Sequence, residues 1–289
     1  MSVVCIGKLN IDIFYEVENL ELNQNHISNE IEMSVGGKAT NVSVALSKLG
    51  VKSYLIGKIG EDEFGKIALE KLKKFGVIPL LSKSKNTGIT FVVIDRRGNN
   101  TMFNYLGANK ELNIKDVLHF KEIISSSDIV FFQTGVNSQI LQHIKKINQN
   151  IFVELTEPME PSLLEGIKYI SLNENELAKV TDEQNLEKAL CKLLSYGIKE
   201  IFLKLGHKGS MYYSKNETIF LEALKIVPVD TTGAGDAFTA GIIYALLNNY
   251  NVENALKFAN TCGALACLRK GTTEAFPSLE DVFRLLYQL

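Results

Sequence analysis

The sequence predicts a three-layer α/β/α sandwich around a mostly parallel sheet, with a small β-sheet lid. Three observations predict it. Short apolar runs rich in β-branched and aromatic residues recur at 3–7 (VVCIG), 53–60 (SYLIGKIG), 129–133 (IVFFQ), 151–155 (IFVEL), 169–173 (YISLN) and 201–206 (IFLKLG). Helical stretches lie between most of them, and strands alternating with helices through right-handed crossovers give a parallel sheet covered on both faces. Two segments break that rhythm and supply the lid.

In chain order, the strand at 3–7 leads into residues 13–35, which are polar, strand-like and without a helical period. Helices are predicted over 38–49 and 62–75, stopping at Gly50 and Gly76. Residues 87–106 read as a hairpin, two apolar strands around the turn RRGNN. Helices over 138–148 and 184–196 follow, the second stopping at Gly197. After a strand pair at 200–206 and 210–214 come two successive apolar helices, 235–248 and 252–268, and a final helix at 278–288. The expected division is therefore a main domain of 1–12, 36–86 and 107–289 and a lid of 13–35 and 87–106. No internal repeat, low-complexity segment or linker interrupts it.

With 289 residues, 46% hydrophobic and 22% charged, the chain suits one large α/β domain with an appendage. A net charge of −2 supplies no long-range field for nucleic acid or an acidic membrane, so neither partner is expected. Cys5, Cys191, Cys262 and Cys267 form no CxxC pair and no zinc spacing, which reads as reduced thiols. The first residues hold no basic region before a long apolar core, and no apolar run reaches about 18 residues. A cytoplasmic protein is expected.

The densest chemistry lies in VDTTGAGDAFTAGIIYALL, 229–247. A helix starting near Gly235 leaves its first N–H groups unpaired and carries positive partial charge there. Gly233, Ala234 and Gly235 let an anionic group approach those N–H groups closely, which makes an anion hole. Such donors suit the charge that develops on a transferring phosphoryl group, and Asp236 beside them is placed to accept a proton from an attacking hydroxyl. On its own, Asp236 reads equally well as a helix cap. The apolar run that follows places this helix start on a buried, rigid element. A lid over such a site would exclude water from the transfer.

A second cluster is SVGGKATNVSVALSKLG, 34–50, where Gly36 and Gly37 enter a helix that carries Lys38 and Asn41 on one face. Asn41 offers a donor and an acceptor, which suits a pair of sugar hydroxyls; the alternative is a turn before a helix with solvated polar residues. Asp12, just after the first strand, is expected at a strand C-terminus, where open α/β sheets place ligands. Two nucleotide motifs fail. GAGDAF has Phe238 where a dinucleotide fingerprint needs its third glycine, and GEDEFGKI has Ile67 where a P-loop needs Ser or Thr, with three acidic residues lining the cradle.

Both clusters, in this order, resemble the ribokinase-like carbohydrate kinase family, also called the phosphofructokinase-B family. The resemblance runs nearly end to end: GKLNIDI and GGKATNVSVALSKLG are similar to its first signature region, LIGKIGEDEFG to the stretch after it, and SLNENEL to its N-x-x-E element. LKLGHKGS is similar to its nucleotide-side turn and VDTTGAGDAF, the most specific, to its second signature. The resemblance implies a ribokinase-like fold, a β lid that commonly serves as a dimer clasp, and transfer of the ATP γ-phosphate to an alcohol, usually a primary hydroxyl of a sugar or nucleoside. It implies Asp236 as general base with the N–H groups of Gly233, Ala234 and Gly235 as anion hole. Asp12, Gly36, Gly37, Lys38 and Asn41 would hold the acceptor. Asn173 and Glu176 would act around the phosphates and the water shell of Mg²⁺, which keeps most of its waters. Lys204, Gly206 and Gly209 would border the nucleotide, with Asn260 near the adenine.

Many members of this family also bind a monovalent cation. Here Asp230, Thr232, Ala266, Arg269 and Gly271 would supply the oxygens for K⁺, although Ala275 stands where a hydroxyl ligand is common. Thr134 and Gly135 stand where ribokinases have an acidic residue, which counts against ribose. VELTEPMEPS lacks the arginine of fructokinases and sugar-acid kinases, and leaves Glu154 and Thr156 as hydrogen-bonding groups for hydroxyls or as plain strand-end residues. Arg96 and Arg97, in the hairpin turn, read as solvated. Two alternatives stay open: a nucleoside kinase of the same fold, with Phe14, Phe103 and Tyr105 as stacking residues, and a non-catalytic sugar- or nucleotide-binding regulator.

Overall fold

The computed structural model describes residues 1–28, 30–97 and 99–287. The centre of the expected RRGNN turn and the last residue expected in the final helix, at 288, lie outside them. In chain order the strands are β1 (Ser2–Ile6), β2 (Asn10–Val17), β3 (Ile31–Gly36), β4 (Lys52–Gly60), β5 (Ile78–Ser84), β6 (Gly88–Asp95) and β7 (Asn100–Tyr105). Then follow β8 (Ile129–Gln133), β9 (Ile151–Glu154), β10 (Tyr169–Asn173), β11 (Glu200–Lys204), β12 (Ser210–Ser214) and β13 (Thr218–Leu221). The helices are α1 (Lys38–Lys48), α2 (Glu63–Lys74), α3 (Ile114–Leu118), α4 (Lys121–Ser126), α5 (Gln139–Ile144) and α6 (Pro161–Leu164). The chain continues with α7 (Glu174–Thr181), α8 (Leu186–Ser195), α9 (Ala234–Leu247), α10 (Val252–Ala266) and α11 (Leu279–Leu286).

Nine strands form the central sheet in the order β13-β12-β11-β10-β9-β8-β1-β4-β5. From β11 to β5 every pairing is parallel, and β12 and β13 add an antiparallel edge. The apolar runs are continuous rather than alternating because the sheet is buried on both faces. Successive side chains go to opposite cores. Val3, Cys5, Phe131, Phe152 and Phe202 join α1, α9 and α10 on one face. Val4, Ile6, Val130, Phe132 and Val153 join α5 and α8 on the other. Each such side chain stabilises the fold by about 1.5–3 kcal/mol through burial.

The helix at 138–148 is shorter than expected: α5 stops at Ile144 and residues 145–147 continue only as turns. Helix α9 is apolar on all sides because α1, α10 and the sheet surround it. Its Gly241 lies so close to α10 that a Cβ there would stand 2.8 Å from Ala259 Cα.

The two irregular segments form a separate four-stranded sheet in the order β3-β2-β6-β7. β2 pairs antiparallel with β3 and parallel with β6, and β6 and β7 form the expected hairpin. Asp12 is placed differently from the sequence expectation. The chain leaves the main sheet at Ile6 and enters β2 at Asn10, so Asp12 is the third residue of a lid strand rather than the end of a main-sheet strand. All four cysteines are free. Among the described residues no helix is long and apolar enough to cross a membrane.

Candidate active site

The loop before α9 is pinned by Asp230, whose carboxylate accepts the Thr232 N–H at 2.9 Å and the Gly271 N–H at 3.0 Å. The chain turns into the helix at Gly233, which has a left-handed φ of 76°. A Cβ there would meet Thr272 Cγ2 at 2.7 Å and a Phe276 ring carbon at 3.0 Å, so only glycine fits. Of the three N–H groups expected to form the anion hole, Ala234 turns back to the Thr231 carbonyl at 3.3 Å. Those of Gly233 and Gly235 have no hydrogen-bond partner among the described residues.

Asp236 is buried in the first turn of α9. Its Oδ2 accepts a 2.7 Å hydrogen bond from Asn41 Nδ2 on α1. Its Oδ1 is buried without a hydrogen-bond partner among the described residues, and the Lys38 ammonium lies 3.8 Å from it. Burial pushes the Asp236 carboxyl above the usual range and the charge of Glu154 adds to this, while Lys38, Asn41 and Lys204 pull the other way without cancelling it.

Lys38 opens α1, directly after Gly37, whose φ is 94°. Besides Asp236, its ammonium lies 3.5 Å from Glu154 Oε1 and 3.5 Å from Glu176 Oε1. Burial alone would favour the neutral amine, but these three carboxylates together raise its pKa. Glu176 and Asn173 form a capping box at the start of α7, each side chain bonding the other's backbone N–H at 2.8 Å. At the end of β9, fully buried Glu154 binds the Lys204 ammonium from β11 and accepts the Thr239 hydroxyl of α9 at 3.0 Å. Burial pushes the Glu154 carboxyl up, yet the two lysines prevail and hold it below the usual range.

Beside this cluster runs a groove of about 1050 Å³. Lys38, Asn173, Lys204, Gly206, Gly209 and Asn260 all contribute to its lining, as does the start of α9. Asn260 points its amide at the Leu221 and Glu222 carbonyls, at 3.5 and 3.3 Å. Asp12, Gly36, Gly37, Asn41 and Glu176 lie outside the lining. The Asp12 carboxylate packs so tightly on Gly36 that no Cβ fits there. Burial, with help from the Asp236 charge and against a Thr90 hydrogen bond, pushes Asp12 up to about 6. Asp12, Thr90 and Asn104 are cross-strand neighbours and share one face of the lid. Phe103 and Tyr105 therefore belong to the opposite face, away from Asp12.

Several side chains gather here that sequence reasoning passed over or read differently. Thr239 and Ser171, 3.2 Å apart, carry no motif signal. Glu154 engages both carboxylate oxygens with Lys204, Lys38 and Thr239, and Thr156 is bonded to Thr134 at 3.0 Å. The Lys8 side chain runs against Gly135, where a Cβ would stand 2.8 Å from its ammonium. Arg96 lies in the solvated turn and pairs with exposed Glu18 at 3.1 Å. Around the expected cation site, no hydrogen bond among the described residues ends on the carbonyls of Thr232, Ala266, Arg269 or Gly271. The Thr272 hydroxyl near them is buried without a hydrogen-bond partner among the described residues.

Residues 1–279 match the family described as pfkB family carbohydrate kinase. The chain belongs to that family. It is an ATP-dependent carbohydrate kinase. It is 30% identical to a ribokinase of Arabidopsis thaliana over 310 residues, covering 98% of this chain and 80% of the relative. The crystal structure of a ribokinase from Thermotoga maritima superposes with a TM-score of 0.91 at 27% identity, covering 99% of each chain. The structure of Arabidopsis thaliana ribokinase complexed with ribose and ATP gives 0.87 at 29% identity, covering 99% of this chain and 98% of that one. The pfkB-family kinase described here thus carries the ribokinase fold.

Proposed function

We propose that this kinase transfers the ATP γ-phosphate to a hydroxyl, of the primary kind, on a sugar, with Asp236 as general base. One observation carries the reading: a buried carboxylate oxygen, Asp236 Oδ1, stands at a helix start beside a groove of nucleotide size, and among the described residues neither it nor the Gly233 and Gly235 N–H groups has a hydrogen-bond partner. An acceptor hydroxyl donating to Oδ1 would fill the missing bond and place its oxygen in line with a phosphate at the Gly233 and Gly235 N–H groups. A raised pKa makes Asp236 a stronger base for that proton, and the Lys38 ammonium beside it favours the ionised form.

ATP would lie along Lys204, Gly206 and Gly209 with its base near Asn260. The acceptor would rest on Asp12, Gly36, Gly37, Lys38 and Asn41 under the lid of 13–35 and 87–106. Mg²⁺, held by the phosphates, would neutralise their charge when bound. Glu176 Oε1, whose nearest described partner is Lys38 at 3.5 Å, is open to a water of the Mg²⁺ shell, and Asn173 holds Glu176 in place. The carbonyls of Thr232, Ala266, Arg269 and Gly271, unclaimed among the described residues, would with Asp230 supply the oxygens for a K⁺ ion. A nucleoside acceptor loses two of its three stacking candidates, since Phe103 and Tyr105 turn away from Asp12. Those residues, with Phe91, Met33 and Ile31, instead leave an exposed apolar lid face, which fits the dimer clasp that the family resemblance implies.

The test is ADP release from Mg·ATP against ribose, fructose, other hexoses, ketodeoxygluconate, adenosine, cytidine and pseudouridine, each with and without K⁺. Turnover that requires a sugar supports the reading. Turnover confined to nucleosides, or none at all while ATP still binds, contradicts it.

A further inference from the structure

Glu154 belongs to neither signature motif, yet it lies at the centre of the site's charge network. Its carboxylate joins four elements: it ends β9, binds Lys204 of β11 and Lys38 of α1, and accepts the hydroxyl of Thr239 on α9. Thr239 stands three residues after Asp236, so it shares a face of α9 with it. None of the Glu154 surface is exposed.

A carboxylate in such a place is poor as a stabilising device. Taking an ion pair out of water costs about as much as the pairing returns, and apolar packing often does as well. The neighbouring β9 residues Phe152 and Val153 show that this sheet interior accepts apolar side chains. What a carboxylate alone supplies is a fixed anchor for two ammonium groups beside the start of α9. Lys38 and Lys204 are long and flexible, and without an anchor each would order at an entropic cost when the phosphates arrive.

We propose that Glu154 is a positioning residue for phosphoryl transfer, a buried strut that holds Lys38 and Lys204 in place around the Asp236 end of α9. This rests on the reading of Asp236 as base and of Lys204 as a neighbour of the nucleotide. Glu154 itself meets neither ATP nor acceptor.

The groups facing Asp236 are Lys38 and Asn41 from α1, Asp12 from β2, Glu154 from β9, Glu176 from α7 through Lys38, and Lys204 from β11. Removing the Glu154 charge takes away a repulsion that opposes ionisation of Asp236, and leaves Lys204 without its carboxylate partner and Lys38 with one fewer. Both effects ease ionisation, so the acid limb of kcat/KM moves to lower pH.

The experiment is a kinetic cycle of Glu154→Gln, Lys204→Met and the double variant, with pH profiles, thermal melts and Asp236→Asn alongside. Glu154→Gln is expected to lower kcat by about tenfold or more, to move the acid limb downward, and to lose less than about threefold in the Lys204→Met background. Glu154→Asp, which keeps the charge, recovers most of kcat. An unchanged kcat and acid limb overturns the proposal, and so does an equal loss in both Lys204 backgrounds. Should Glu154→Gln fail to fold, Thr239→Val removes the hydroxyl that orients the carboxylate; a several-fold loss of kcat supports the strut and an unchanged kcat overturns it. If Asp236→Asn keeps full turnover, the base reading itself falls. If Asp236→Asn collapses while Glu154→Gln runs unchanged, only the strut falls.

Discussion

Asn41 Nδ2 donates a 2.7 Å hydrogen bond to one oxygen of Asp236, while the other is buried without a hydrogen-bond partner among the described residues. The two residues are 195 positions apart, one on α1 and one on α9. The bond fixes the carboxylate plane, so the free oxygen keeps one direction. Replacing Asn41 by Leu removes the donor and is expected to lower kcat/KM for the acceptor by about 10²-fold, with the Kd for ATP changed less than about threefold. Steady-state kinetics and nucleotide titration check the split.

Gly36 has no room for a side chain because the Asp12 carboxylate lies on it. Gly36→Ala is expected to displace Asp12 and raise the acceptor KM by about tenfold or more, while leaving the ATP KM near its parent value. An equal change in both constants would show a general distortion of the fold instead.

Asp12 is pushed up to about 6 by burial, above its value in the unfolded chain. The folded state therefore binds more protons between roughly pH 4 and 6, and its stability falls as pH rises through that window. Asp12→Asn is expected to raise the Tm by a few degrees at pH 7–8, with the difference vanishing below pH 4. Thermal melts across that range check it, and the expected cost is a weakened grip on the acceptor.

At Gly233, a left-handed φ of 76° combines with Thr272 and Phe276 packed against the missing Cβ. Gly233→Ala is expected to destabilise the fold by about 2 kcal/mol or more, through strain and overlap together. Denaturant unfolding measures this directly.

Phe91 and Phe103 face each other across β6 and β7 and are exposed, and Met33 and Ile31 lie on the same face of the lid. If this face is the dimer clasp, Phe91→Asp with Phe103→Lys gives a monomer by analytical ultracentrifugation where the parent chain sediments as a dimer.

Much of this arrangement was legible in the sequence because local chemistry dictates it. The buried parallel strands read as continuous apolar runs, and Gly50, Gly76 and Gly197 end their helices with φ of 79°, 75° and 88°. The N-x-x-E element carries a local signal as well, since Asn173 and Glu176 cap α7 with each other. What stayed hidden depends on the meeting of distant segments. Asp12 reads as a strand end until β2 is seen to pair with β6, 78 positions away for the residues Asp12 and Thr90. Glu154 reads as a hydroxyl-binding group or a plain strand-end residue, not as a partner of lysines, because Lys204 and Thr239 lie 50 and 85 positions from it. The edge strand β13 is only four residues long, so its run of three apolar residues, Ile219 to Leu221, is too short to announce a strand.

On the proposed mechanism, the free oxygen of Asp236 takes the acceptor proton. The most direct test of this step is kcat for phosphate transfer by Asp236→Asn with the best acceptor of the panel, together with ATP binding. The same shape without the charge is expected to lower kcat by about 10³-fold while the Kd for ATP stays within about threefold. A loss below about tenfold in a folded variant that binds ATP would remove Asp236 from the base role and leave it as a buried partner of Asn41 and Lys38.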